Sequence, residues 1–175
     1  MIGLVLIFLV AQTAPAAEVS PRATISIRTV GGPGLKIHYL YAPWGPNTFA
    51  AMERPGDSFY NQRTWPFARL ETTRELSIGG TAVPPGNYAL VFHPNTPGDA
   101  GMSLEVRKLS VPEFLQPGNV MTPTPEGETV WRDSVHFDRT DVTEPALRID
   151  LAPQKTGTKL TIRYGDRRLE RDLAY

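Results

Sequence analysis

The chain has 175 residues, long enough for one domain with a real hydrophobic core. Hydrophobic residues make up 41% and charged residues 21%, with 18 basic and 18 acidic side chains; this neutral composition is that of a globular rather than a disordered chain and lacks the basic excess of a nucleic-acid binder. The absence of cysteine excludes a disulfide frame, a thiol nucleophile, a thiolate metal site and a lipidated-cysteine anchor.

Residues 1–17, MIGLVLIFLVAQTAPAA, carry an unbroken apolar run from Ile2 to Val10, followed by the small residues Ala14 and Ala16 around Pro15. Such a run is too short to span a bilayer, and with its small-residue tail it reads as a secretory signal peptide cleaved near Ala16 or Ala17, although no Lys or Arg precedes it. The expected organisation is therefore a signal over 1–17 and one domain over 18–175, exported to the periplasm or secreted, with no membrane attachment after cleavage.

Period-two alternation recurs downstream. ATISIRTV (23–30) sets Ile25 and Ile27 against Ser26 and Arg28, and after the turn GGPG (31–34), LKIHYLY (35–41) groups Leu35, Ile37, Tyr39 and Tyr41, so the two pieces predict a hairpin. The segment 42–67 is irregular and rich in proline and aromatic residues, with a helical turn expected near Thr48–Met52. In SIGGTAVPPGNYAL (77–90) the glycines cannot form a phosphate loop, which needs a helix directly after them; here prolines and a strand pattern follow. Gly79–Gly80 predicts a tight turn with positive φ, and Pro84–Pro85–Gly86 a second turn. NYALVFH (87–93) is apolar on both faces and predicts a central, doubly covered strand. MSLEVRK (102–108), ETVWRDSVHF (128–137), ALRIDLA (146–152), TKLTIRY (158–164) and RRLERDLAY (167–175) complete the series, with a loop expected at DRTDVTE (138–144) and turns at 153–157 and 165–166. About eight or nine closely spaced strands without an amphipathic helix predict an all-β fold, an antiparallel β-sandwich.

ELSIGGTAVPPGNYALVFHP (75–94) resembles, almost position for position, the "IGG-x-x-(V/L)-P-A-G-x-Y-(S/A)-L" segment of the exported bacterial DUF2911 family, a domain of unknown function. HYLYAPWGP (38–46) and TKLTIRYGDRRLERDLA (158–174) are similar to that family's first-hairpin exit and closing strands. The family's Trp-Arg-x-Gly-x-Asn cluster reads YNQRTW (60–65) here, where Tyr60 stands for the Trp, Arg63 lies nearby and the Arg and Asn do not carry over. The resemblance implies fold and export, not chemistry.

Candidate chemistry is sparse. His38, His93 and His136 lack metal-ligand spacing, and Asp138, Asp141 and Glu144 lack the order of a calcium loop. No G-x-S-x-G elbow is present; Ser134, His136 and Asp138 form a same-face row, not a converging triad, and nothing selects a catalytic pair among Glu71, Glu75 and Glu105. No motif implies a cofactor. The strongest lead is the aromatic segment: Trp44, Tyr60 and Trp65, with Asn61 and Arg63 to orient hydroxyls, form a candidate ligand-binding set for a small molecule or glycan. The competing reading is that these rings, with Phe49, Phe59 and Phe67, seal the end of the sandwich. The functional expectation is a non-catalytic binding domain; the alternatives are a hydrolase of envelope or extracellular polymers and a partner-binding module.

Overall fold

The computed structural model describes residues 26–45, 65–94, 102–109 and 127–175. Among the described residues ten strands form two antiparallel sheets. They are β1 (Ile27–Gly32), β2 (Leu35–Leu40), β3 (Trp65–Thr72), β4 (Leu76–Ile78), β5 (Thr81–Val83), β6 (Gly86–Pro94), β7 (Met102–Lys108), β8 (Thr129–Val135), β9 (Asp138–Gln154) and β10 (Gly157–Ala174). The larger sheet runs β1-β2-β3-β6-β7-β8 and the smaller β5-β4-β10-β9. The expected helical turn near Thr48–Met52 lies outside the described residues.

Turn chemistry sets the hairpins. Gly32 pairs with Leu35 across Pro33–Gly34, where proline fixes the first corner and Gly34 takes φ 72°. Ile78 pairs with Thr81 across Gly79 and Gly80, whose φ values of 57° and 84° are those of a type I′ hairpin. A Cβ on Gly79 would also lie 3.3 Å from the indole nitrogen of Trp131, so the glycine is demanded by backbone and packing together. The glycine-rich stretch is thus a corner in a sheet.

β10 is too long to be one straight strand. Eighteen extended residues would span roughly 60 Å, yet Tyr175 Oη lies 2.5 Å from Thr158 Oγ1 and the Tyr175 amide donates to the Thr156 carbonyl. The strand doubles back at Gly165, φ 60°, so its arms 157–164 and 167–174 lie side by side, as the turn expected at 165–166 requires. The first arm pairs with β9 over 148–154, and the end of the second pairs with β4. This doubling widens the smaller sheet until it covers the larger.

The core lies between the sheets. Leu35, Ile37, Leu70, Tyr88, Leu90, Phe92, Leu104 and Val106 of the larger sheet meet Leu76, Ile78, Leu147, Ile149, Leu160, Ile162 and Leu173 of the smaller. Phe67 stacks on Phe92, centroids 4.3 Å apart. Ala89 and Val91, on the opposite face of β6, are also fully buried and pack with Leu40 and Leu109, so β6 is covered on both faces as its apolar pattern requires. One expectation is corrected: residues 138–144 belong to β9, where Asp138, Arg139 and Glu144 pair with β10. Glu105, on the outer face of β7, is 0% exposed.

Candidate functional site

Stacking the two sheets leaves two open seams. At one, β1 and β2 face β9; at the other, β8 faces the β4–β5 corner.

The first seam holds a groove of about 250 Å³ lined by Arg28, Tyr39 and Tyr41 on one wall and by Glu144, Pro145, Ala146, Arg148, Ile149 and Asp150 on the other. Its shape comes from a bend in β9. The β9–β10 register shifts between Arg148 and Glu144, where β9 carries extra residues opposite β10, an irregularity that bends a strand, and Glu144 Oε1 is 3.7 Å from Arg148 Nη1. The bend at Pro145–Ala146 is fixed by the chain leaving Tyr41: the Trp44 amide donates to the Pro145 carbonyl at 2.9 Å, and the Leu147 amide to the Ala42 carbonyl at 2.8 Å. Pro43 bridges to Ala146.

Charge in the groove is organised around Arg148. Its Nε donates to both oxygens of Asp150, at 3.2 and 3.0 Å, and these bonds hold the guanidinium more firmly protonated than usual. Arg163 from β10 donates to the same carboxylate. Arg28 lies over the Tyr41 ring, 4.4 Å from its centroid. Tyr39 is 5% exposed, and among the described residues its hydroxyl has no hydrogen-bond partner. A buried tyrosine ordinarily finds one; here the hydroxyl opens on the groove.

Two other polar clusters lie on the outer face of the larger sheet. In-register pairing sets Thr29, His38 and Arg69 in a row. Thr29 Oγ1 is 2.9 Å from His38 Nδ1, and His38 Nε2 is 3.3 Å from Glu71 Oε1. Burial lowers the His38 pKa despite the adjacent Glu71, so the imidazole is neutral at pH 7. Hydroxyl, imidazole and carboxylate stand in the order of a catalytic relay. The oxygen that would steady an imidazolium, however, is held by Arg69 at 2.6 Å, and Arg69 is itself tied to Asn87 at 3.0 Å. That pairing makes the row an ordering device for three strands. Further along, fully buried Glu105 accepts from Arg107 Nε at 2.6 Å and from Arg132. Burial pushes its pKa up, and the two guanidinium groups more than reverse this, holding the carboxyl below its usual range.

The sequence-derived residues fare unevenly. Trp44 packs edge-on against Tyr164, centroids 5.1 Å apart, with its ring over Gly165. The Trp65 backbone pairs with Phe92 in β3. Tyr60, Asn61 and Arg63, with Phe49 and Phe59, lie outside the described residues. Phe67 is core. His38 on β2 and His136 beyond β8 are four strand steps apart, roughly 19 Å, and among the described residues no three His, Asp or Glu gather to hold a metal. Ser134, His136 and Asp138 do not converge, since Asp138 pairs with Arg168 in the smaller sheet. Of the glutamates, Glu71 and Glu105 are each bound to arginine.

Sequence reasoning missed Arg28, Tyr39, Arg148 and Asp150 as a site. One signal was available: Arg148 and Asp150, two apart on a strand, share a face with opposite charges. No protein-family model, curated protein or solved structure matches the chain. Fold and groove together define an all-β protein of two packed antiparallel sheets with a small polar groove at one seam.

Proposed function

We propose that the chain is an exported β-sandwich module that binds a small polar ligand, a sugar unit of a glycan, without catalysis. The observation that carries this reading is Tyr39, a residue 5% exposed that lines a groove of about 250 Å³ rimmed by arginine and carboxylate groups and whose hydroxyl has no hydrogen-bond partner among the described residues. Sugars are bound by this combination of aromatic edge, planar donors and carboxylate acceptors, which satisfies several hydroxyls at once. Export rests on residues 1–17 and on the family resemblance. A hydrolase is disfavoured because Glu144 and Asp150 are each engaged by arginine rather than held as a desolvated acid.

The test is a thermal-shift and calorimetric screen of the purified protein against mono- and oligosaccharides. Saturating ligand at about a hundred times Kd adds about 2.7 kcal/mol, a shift of several degrees. Tyr39→Phe should keep the unliganded Tm and abolish the shift. No shift with any glycan sinks the reading.

A second reading, partner binding by strand addition, is favoured by the other seam. There an open cleft of about 470 Å³ runs along the outer edge of β8 beside Gly79 and Thr81. Proline at Val130 would leave a glycan site untouched and abolish any such docking, read by pull-down with the intact protein.

A further inference from the structure

We propose that the ligand of the β1–β2/β9 groove carries a carboxylate, a uronic-acid unit, and that Arg28 receives it; this rests on the groove being a saccharide site. Three guanidinium groups, Arg28, Arg148 and Arg163, stand at this seam against two carboxylates, Glu144 and Asp150. Arg148 engages both carboxylates, and Arg163 engages Asp150. Arg28 engages neither: among the described residues it makes no ion pair or hydrogen bond, and it lies over the Tyr41 ring beside its register partner Tyr39. Among the described residues one positive charge in the groove is therefore unmatched, on a guanidinium set against a ring.

That arrangement selects the chemistry of the ligand. Stacking on a ring costs little hydration and fixes the guanidinium plane, leaving parallel N–H donors for a planar, two-oxygen acceptor. A carboxylate matches the single unmatched charge. A phosphate, carrying nearly two charges at pH 7, would exceed it and face repulsion from Glu144 and Asp150. Those same carboxylates, with the Tyr39 hydroxyl, are placed to take the neutral hydroxyls of a sugar ring. Arg28 is thus the specificity-determining residue, and the other groups read the ring.

The experiment is calorimetric titration of the purified protein with two matched pairs: galacturonate against galactose oligomers, and glucuronate-bearing against glucose oligomers. The expected result is a uronate preference of at least about tenfold, the strength of one charged hydrogen-bonded pair, weakening as salt rises. Arg28→Gln should bring the ratio close to one. Arg28→Lys should retain part of it, since the charge survives and the fork does not. Both variants are checked for an unchanged Tm. Equal binding of the charged and neutral members overturns the inference and leaves the saccharide reading standing; binding of neither overturns both. A preference that survives Arg28→Gln also overturns it, because another group must then carry the charge recognition.

Discussion

Gly165 sits under the Trp44 ring at the point where β10 doubles back, and replacing it with alanine tests that geometry directly. Two penalties arise. The backbone has φ 60°, where an L-residue costs about 1–2 kcal/mol over glycine. The added Cβ would also fall well inside 3.0 Å of the Trp44 ring carbons, closer than real Cβ atoms come, so the indole must move. Moving it disrupts the edge-on contact with Tyr164, worth about 0.5–1.5 kcal/mol, and strains a packed site, typically by 1–3 kcal/mol. Gly165→Ala should therefore cost about 2.5–6.5 kcal/mol in all. With about 2–4 °C per kcal/mol for a domain of this size, Tm falls by roughly 5–26 °C. In a Trp44→Ala background there is nothing to displace, and the same change should cost only the backbone part, about 1–2 kcal/mol. Urea unfolding of the four proteins in the cycle, followed by circular dichroism, gives the coupling directly, expected at about 1.5–4.5 kcal/mol. A coupling below about 0.5 kcal/mol would refute the packing of Trp44 on Gly165.

Three further outcomes are expected. Tyr88 and Tyr164 donate to the Pro84 and Pro43 carbonyls at 2.6 and 2.8 Å, so Tyr88→Phe and Tyr164→Phe should each lose about 1 kcal/mol, whereas Tyr39→Phe should stay within about 0.5; equal losses in all three would mean that the Tyr39 hydroxyl is bonded within the protein. Glu105→Ala strands Arg107 and Arg132 without their carboxylate; because Arg132 is 51% exposed, the loss should be about 2–3 kcal/mol, short of the full value for a buried pair, and a urea midpoint moved by less than about 1 kcal/mol would show that the cluster is dispensable. The folded-state pKa of His38 lies below its unfolded value of 6.5, so between the two the unfolded chain binds more protons and stability rises with pH. Glu105 is likewise lowered from 4.5, and its contribution, present above that value, is lost as pH falls through the folded one. Scanning calorimetry should show a shallow decline beginning near pH 6.5 and a steeper one below about 4.5; a Tm that is flat down to about pH 5 would remove His38 from the account.

Groove and fold were legible in the sequence to different degrees. The Gly79–Gly80 corner, the two-faced apolar pattern of β6 and the turn at 165–166 could be read directly, because glycine tolerance of positive φ and alternation of side chains act within a few residues. The stretch 138–144 misread as a loop because its pairing partner lies in β10, and short polar strands carry no apolar signal of their own. Trp44 carried both a binding and a sealing reading, because aromatic residues in proline-rich segments serve both uses; its contacts with Gly165 and Tyr164 depend on the tertiary structure. The burial of Glu105 was not legible, because parity says which face a side chain takes, not whether that face is covered.

The sequence by itself determined the β class, the corners and the inward set of residues, since these follow from local backbone preferences and period-two burial. Tertiary structure alone decided which strands form the open seams, and so which polar residues meet. Arg28, Tyr39 and Asp150 are far apart along the chain and share no local pattern. They converge because β9 bends where the chain after Tyr41 hydrogen-bonds to Pro145 and Leu147, a contact between segments a hundred residues apart that no local rule encodes.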